Sequence, residues 1–142
     1  MFRLVLDANV IVSAFRSRLG ASFALLGLIR HGAARMVATP PLFLEYEEVL
    51  KRPDQIAVTG LSEDDLEMAL GALAALIEPV ETFLSWRPQL ADPDDEMVLE
   101  AAINARADAL VTHNLDHFRA AAPRFGLRLA RPADILREVR TQ

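Results

Sequence analysis

Two kinds of hydrophobic pattern alternate along the chain. Leu4-Val5-Leu6 and Ala109-Leu110-Val111-Thr112 are short, unbroken apolar runs. Such runs are what a strand buried on both faces of a parallel sheet shows. Between them lie stretches with apolar residues three and four apart, the spacing of a helix that buries one side. Arg35 to Thr39 reads as a second strand. Ser22 to His31 reads as a helix with Phe23, Leu25, Leu26 and Ile29 inward, ended by Gly32. Thr39 caps and Pro40-Pro41 opens a helix to about Arg52, stopped by Pro53, with Leu42, Tyr46, Val49 and Leu50 inward. Ser62 starts the next helix, with Asp65 in the capping-box position and Leu66, Ala69, Leu70, Leu73 and Leu76 as its stripe to about Ile77. Pro79 to Phe83 is expected as a third strand. Pro93 to about Ala105 is helical through Met97, Val98, Ala101, Ala102 and Ala105. A short strand near Leu127 to Ala130 and a helix from Pro132 to Arg140 close the chain. The order approximates βααβααβαβα, which predicts an α/β fold with a mainly parallel sheet.

Length and charge narrow the choices. One domain over residues 1–142 is the default at this size. No stretch reaches the roughly 18 uninterrupted apolar residues needed to cross a bilayer. The N-terminal run is interrupted at once by Asp7 and Asn9, unlike a secretory leader, so a cytoplasmic location is expected. With no cysteine and three histidines, any metal is expected on oxygen ligands. A net charge of −5 argues against a broad basic surface for duplex DNA, but carboxylates loaded with divalent cations reverse the sign locally.

The acidic residues are placed where they would meet. An aspartate directly after a buried parallel strand emerges at the sheet rim, where open α/β sheets bind ligands. Asp7 stands there after the first strand, the Pro40 helix follows the second, and the loop from Asn114 follows the Ala109 strand. In the Pro40 helix, Glu45 and Glu47 flank the inward stripe while Glu48 points away, which leaves two candidates. Asp92-Pro93-Asp94-Asp95-Glu96 begins as a helix cap, yet capping does not require so many adjacent charges. Thr112-His113-Asn114-Leu115-Asp116-His117-Phe118 offers polar groups that suit metal, water or an Asx turn. Its histidines are not an HExxH pair, which disfavours a zinc hydrolase. Arg16, Arg18 and Arg52 are candidates for phosphate contact.

Leu4-Val5-Leu6-Asp7-Ala8-Asn9-Val10, Thr39-Pro40 with Leu44 to Pro53, Asp92-Pro93-Asp94-Asp95, and Val111 to Phe118, in this order, resemble a PIN-domain protein. The similarity is greatest to the toxin components of toxin-antitoxin systems, the VapC-like ribonucleases. The resemblance implies a three-layer α/β/α sandwich, a Mg²⁺- or Mn²⁺-dependent endoribonuclease cutting RNA, a homodimer, and inhibition by a small antitoxin protein. It places the family's acids on Asp7, Glu45 and Asp95, with Asn9 and Asp92 as near neighbours; Thr112, Asn114 and Asn9 are candidates for substrate contact, Thr112 through a hydrogen bond to a phosphate or water. The fourth acidic position, two residues after the threonine, is Asn114 here. Either Asn114 holds a water or Asp116 substitutes. That departure leaves a second reading, a catalytically weak or inactive PIN-like module that acts by binding a partner. A phosphatase with Asp7 as nucleophile is disfavoured because haloacid-dehalogenase-like enzymes need a second aspartate where this chain has Asn9.

Overall fold

The computed structural model describes residues 2–82 and 89–140. It contains β1 (Arg3–Leu6), α1 (Ala8–Arg16), α2 (Ala21–Arg30), β2 (Arg35–Ala38), α3 (Pro40–Leu50), α4 (Pro53–Thr59), α5 (Glu63–Leu76), β3 (Ile77–Pro79), α6 (Pro93–Ala105), β4 (Ala109–Val111), β5 (Leu129–Ala130) and α7 (Pro132–Arg140). Two short 3₁₀ turns, Leu115–His117 and Ala122–Phe125, lie between β4 and β5. The strands form one parallel sheet in the order β3-β2-β1-β4-β5. Leu4, Val5 and Leu6 are all fully buried, so side chains on both faces of β1 are covered, as the unbroken apolar run requires. This is the expected α/β/α arrangement.

Local chemistry sets most boundaries. The Thr39 hydroxyl accepts from the Leu42 amide at 3.4 Å and the Ser62 hydroxyl from the Asp65 amide at 3.1 Å. Gly32 lies at φ +85°, where only glycine is unstrained. Its amide and that of Ala33 reach back to Ile29 and Leu28, closing α2.

Three expectations need correction. Pro53 ends α3 but also opens α4, because proline suits a first helical turn as well as it stops a helix. The third strand ends at Pro79 instead of starting there: Ile77, Glu78 and Pro79 pair with Met36, Val37 and Ala38, and the proline is tolerated because β3 is an edge strand. The far end of that expected strand, Phe83, lies outside the described residues. Phe23, expected inward, is 43% exposed on the outer side of α2, while β4 and β5 precede the last helix as expected.

α6 packs against β1, β2 and β4 and is covered on nearly every side, which explains its weak amphipathic pattern. Glu96 is buried with it, and its Oε1 accepts the amides of Gln89 and Leu90 at 2.6 and 2.7 Å. The carboxylate thereby anchors the approach to α6, the helix that carries Asp95. Glu96→Ala is expected to cost about 1–3 kcal/mol, since two buried amides lose their acceptor. Chemical denaturation checks it, with Glu96→Gln losing less because the amide oxygen still accepts.

Candidate active site

The strand order places the site. The chain runs from β1 outward through β2 to β3 and then crosses back to β4, so the direction reverses between β1 and β4. Beyond the carboxyl ends of strands at such a switch point a crevice forms. Asp7 follows β1 and Thr112 follows β4 there. The Asp7 amide extends the ladder by donating to the Val111 carbonyl at 2.8 Å. One residue further along the register, the Thr112 hydroxyl donates to Asp7 Oδ2 at 2.8 Å.

Thr112 is fully buried and its oxygen is saturated. It also accepts from the Asn114 amide at 3.0 Å and from Asn9 Nδ2 at 3.4 Å, while Asn9 Oδ1 receives the His113 amide at 3.4 Å. The Thr112 hydroxyl, expected to meet phosphate or water, is buried and hydrogen-bonded to Asp7. Asn9 belongs to the same network, joining α1 to the loop after β4.

Asp7 itself is 8% exposed. Burial pushes its carboxyl above the ordinary value, against the Thr112 hydrogen bond, the amides of Ala8 and Asn9, and the charge of His117. Asp95 is raised by burial first, then by the charges of Asp7 and Asp92, against His117. Glu45 is raised by burial, then by the charges of Asp94, Glu48 and, more weakly, Asp7, against Arg52. Asp7, Glu45 and Asp95 thus share a field of negative charge. Among the described residues, no three Asp, Glu or His side chains are close enough as placed to enclose a metal ion.

α3 brings Glu45 to this rim through Tyr46. Tyr46 is fully buried and its hydroxyl donates to the carbonyl of Leu6, the residue before Asp7, which ties α3 to the end of β1. The three glutamates of α3 differ in their surroundings. Glu47 faces Lys51 at 3.8 Å, Glu48 pairs with Arg52, and Glu45 is left facing the aspartates. Of the arginine candidates, Arg52 is thus engaged and Arg16 binds Gln55 at 2.9 Å.

The remaining candidates divide. Asp92 caps α6, accepting the Asp94 amide at 2.9 Å, and is exposed. Asp116 is 82% exposed and paired with Arg119. Asn114 is exposed beside His117. That histidine was not singled out by the sequence: its Nδ1 lies 3.1 Å from Asp95 Oδ2. Only its place in the loop after β4, one residue beyond Asp116, hinted at a role.

A family model described as PIN domain matches residues 3–116. The chain belongs to the PIN-domain family. The matched span takes in Asp7, Glu45, Asp95, Thr112 and Asn114, and ends one residue before His117. The PIN-domain fold is also found in a chain of the crystal structure of VapBC2 from Rickettsia felis bound to a DNA fragment from their promoter. The two superpose with a TM-score of 0.62 at 14% identity, over 91% of this chain and 98% of that one. No curated protein matches the chain.

Proposed function

We propose that this PIN-domain protein is a metal-dependent endoribonuclease, the toxin of a toxin-antitoxin pair, that hydrolyses RNA phosphodiester bonds at Asp7, Glu45 and Asp95. The observation that carries the reading is the buried Asp7 carboxyl at the switch point, raised above its ordinary value and within the electrostatic reach of Glu45 and Asp95. Repulsion of this kind is relieved by a divalent cation. The donor set fits one: all the groups are hard oxygens, and Mg²⁺ needs only one or two carboxylates because it retains waters and takes the remaining oxygens from phosphate. When bound, such an ion lowers the pKa of a water and offsets charge on phosphate oxygens.

The chain's own residues then have separable tasks. Asp7 and Asp95 hold the cation, and Glu45 adds charge from α3. Thr112 fixes one oxygen of Asp7, and His117 Nδ1 fixes one oxygen of Asp95. Tyr46 keeps α3 in place through Leu6. Asp92 and Asp116 contribute no more than long-range charge.

Partners follow from the same reading. A small antitoxin protein and a second copy of the chain are the proposed partners, supported by apolar hollows of about 400 and 320 Å³ between α2 and α5 that expose Phe23 and, at one end, Val58. Among the described residues no single helix is long and apolar enough to cross a membrane. We read residues 1–142 as one PIN-like domain of the cytoplasm. The second reading, a weak or inactive binding module, is favoured by Asn114, whose neutral amide stands where the resemblance implies an aspartate.

Cleavage of a defined RNA with Mg²⁺, Mn²⁺ or EDTA tests the activity. Glu45→Gln is expected to lower the Mg²⁺-dependent rate about tenfold or more, whereas Glu47→Gln and Glu48→Gln stay within about twofold of wild type. Equal rates for Glu45→Gln and Glu47→Gln would remove Glu45 from the site. Absence of metal-dependent cleavage by the wild type would favour the binding module.

A further inference from the structure

Beside the carboxylates lies a polar pocket of about 180 Å³, lined by His113, Asn114, Leu115, Asp116, His117 and Arg131. That is several times the ~30 Å³ share of one water. It lies at the same sheet rim: Arg131 directly follows β5 as Thr112 follows β4. The pocket shares a wall with the carboxylate site, because the His117 ring that lines it also holds Asp95 through Nδ1.

The charge of this pocket is opposite to that of its neighbour. The Arg131 guanidinium has no ion-pair or hydrogen-bond partner among the described residues, although the chain carries a net charge of −5. The acid on the pocket wall, Asp116, is paired with Arg119, and Asp134 binds Arg137 and the Arg131 amide. The side-chain amide of Asn114 is likewise without a partner. The positive charge is felt nearby: burial lowers the pKa of His113, and Arg131 adds to that effect against Asp7. His113 itself is held through Nε2 by Ser22 at 3.1 Å.

We infer that this pocket is a phosphate subsite, in which Arg131 and the Asn114 amide bind a backbone phosphodiester of RNA adjoining the one cut at Asp7 and Asp95. The inference rests on the nuclease reading. An unpaired guanidinium and an amide donor suit phosphate oxygens, and the planar fork of arginine binds two of them at once. The neutral residue at position 114 acquires a reason: a carboxylate there would compete with phosphate for Arg131.

The test is anisotropy of a labelled, short single-stranded RNA in EDTA, where binding is read without cleavage, followed by steady-state cleavage in Mg²⁺. Arg131→Gln is expected to weaken binding about tenfold and to reduce the slope of log affinity against log salt by about 1. In Mg²⁺ its KM rises while kcat stays within about twofold. Asn114→Asp is expected to weaken binding in EDTA as well, and Arg131→Lys to recover part of the loss. Arg131 is exposed, so the variants should melt with the wild type. Unchanged affinity and salt slope in Arg131→Gln, with a wild type that cleaves, would overturn the subsite while leaving the nuclease intact. A wild type that neither binds nor cleaves RNA would overturn both.

Discussion

Asp7→Asn is expected to reduce Mg²⁺-dependent RNA cleavage by about 100-fold or more and, without metal, to raise the melting temperature near neutral pH. The two effects have one origin. Asp7 is buried at the point where the sheet reverses direction, and burial raises its pKa despite the hydrogen bond from Thr112. Its ionised form is therefore harder to keep in the folded chain than in the unfolded one. A cation that holds the carboxylate converts that penalty into binding, and loss of a few kcal/mol of such stabilisation corresponds to about two or more decades in rate. The sign of the pH dependence follows. A carboxyl whose folded pKa lies above its unfolded value binds protons more tightly when folded. Between the two values stability falls as pH rises, and above the folded value the deficit is complete. Asp95 and Glu45, also raised, add to the trend. Metal-free wild type should thus lose stability as pH rises out of the acid range, and Asp7→Asn should show a flatter curve. For a chain of this size each kcal/mol relieved raises the melting temperature by roughly 3–4 °C. Thermal melts from acid to neutral pH in EDTA check this, and a variant that melts below the wild type at neutral pH would contradict it.

Thr112→Val should be the most damaging substitution of a residue that does not itself touch RNA. The valine has nearly the same shape, so the core packing around it persists. The hydroxyl, however, donates to Asp7 and accepts from the Asn114 amide and Asn9. Its removal leaves the buried Asp7 oxygen without its donor and raises the Asp7 pKa further, because the lost hydrogen bond lowered it. Removing a group that orients a metal-holding carboxylate typically costs about 10–100-fold in affinity or activity. A stability loss of about 1–3 kcal/mol accompanies it at neutral pH, from the unsatisfied buried groups. Thr112→Ser, which restores the hydroxyl, should recover most of the activity. Equal losses in the serine and valine variants would assign the effect to packing alone.

Much of this arrangement was legible in the sequence, and for definable reasons. Unbroken apolar runs revealed β1 and β4, and Asp7, directly after the first, was expected at the rim where it stands; Thr112, read as the last residue of the second run, instead follows β4. The stripe of α3 separated Glu48 from its two neighbours but gave no choice between Glu45 and Glu47. Their surroundings depend on how α3 is seated, through the Tyr46 hydroxyl on the Leu6 carbonyl, a contact 40 residues apart in the chain. Helix α4 was missed because Pro53 serves equally to stop one helix and start another. The burial of Glu96 and Glu100 in α6 contradicts the usual preference of glutamate for the surface. It follows from the position of that helix against three strands. Pattern also did not single out His117 in the loop after β4: Asp116 pairs with Arg119, and it is the imidazole of His117 that meets Asp95.

The central claim is that Asp7 and Asp95 share a divalent cation. Calorimetric titration of the metal-free protein with Mn²⁺ tests it directly, using the wild type, Asp7→Asn and Asp95→Asn. The account predicts saturable uptake by the wild type and at least about a tenfold loss of affinity in each variant. Absence of uptake by the folded wild type, or equal affinity in all three proteins, would contradict it.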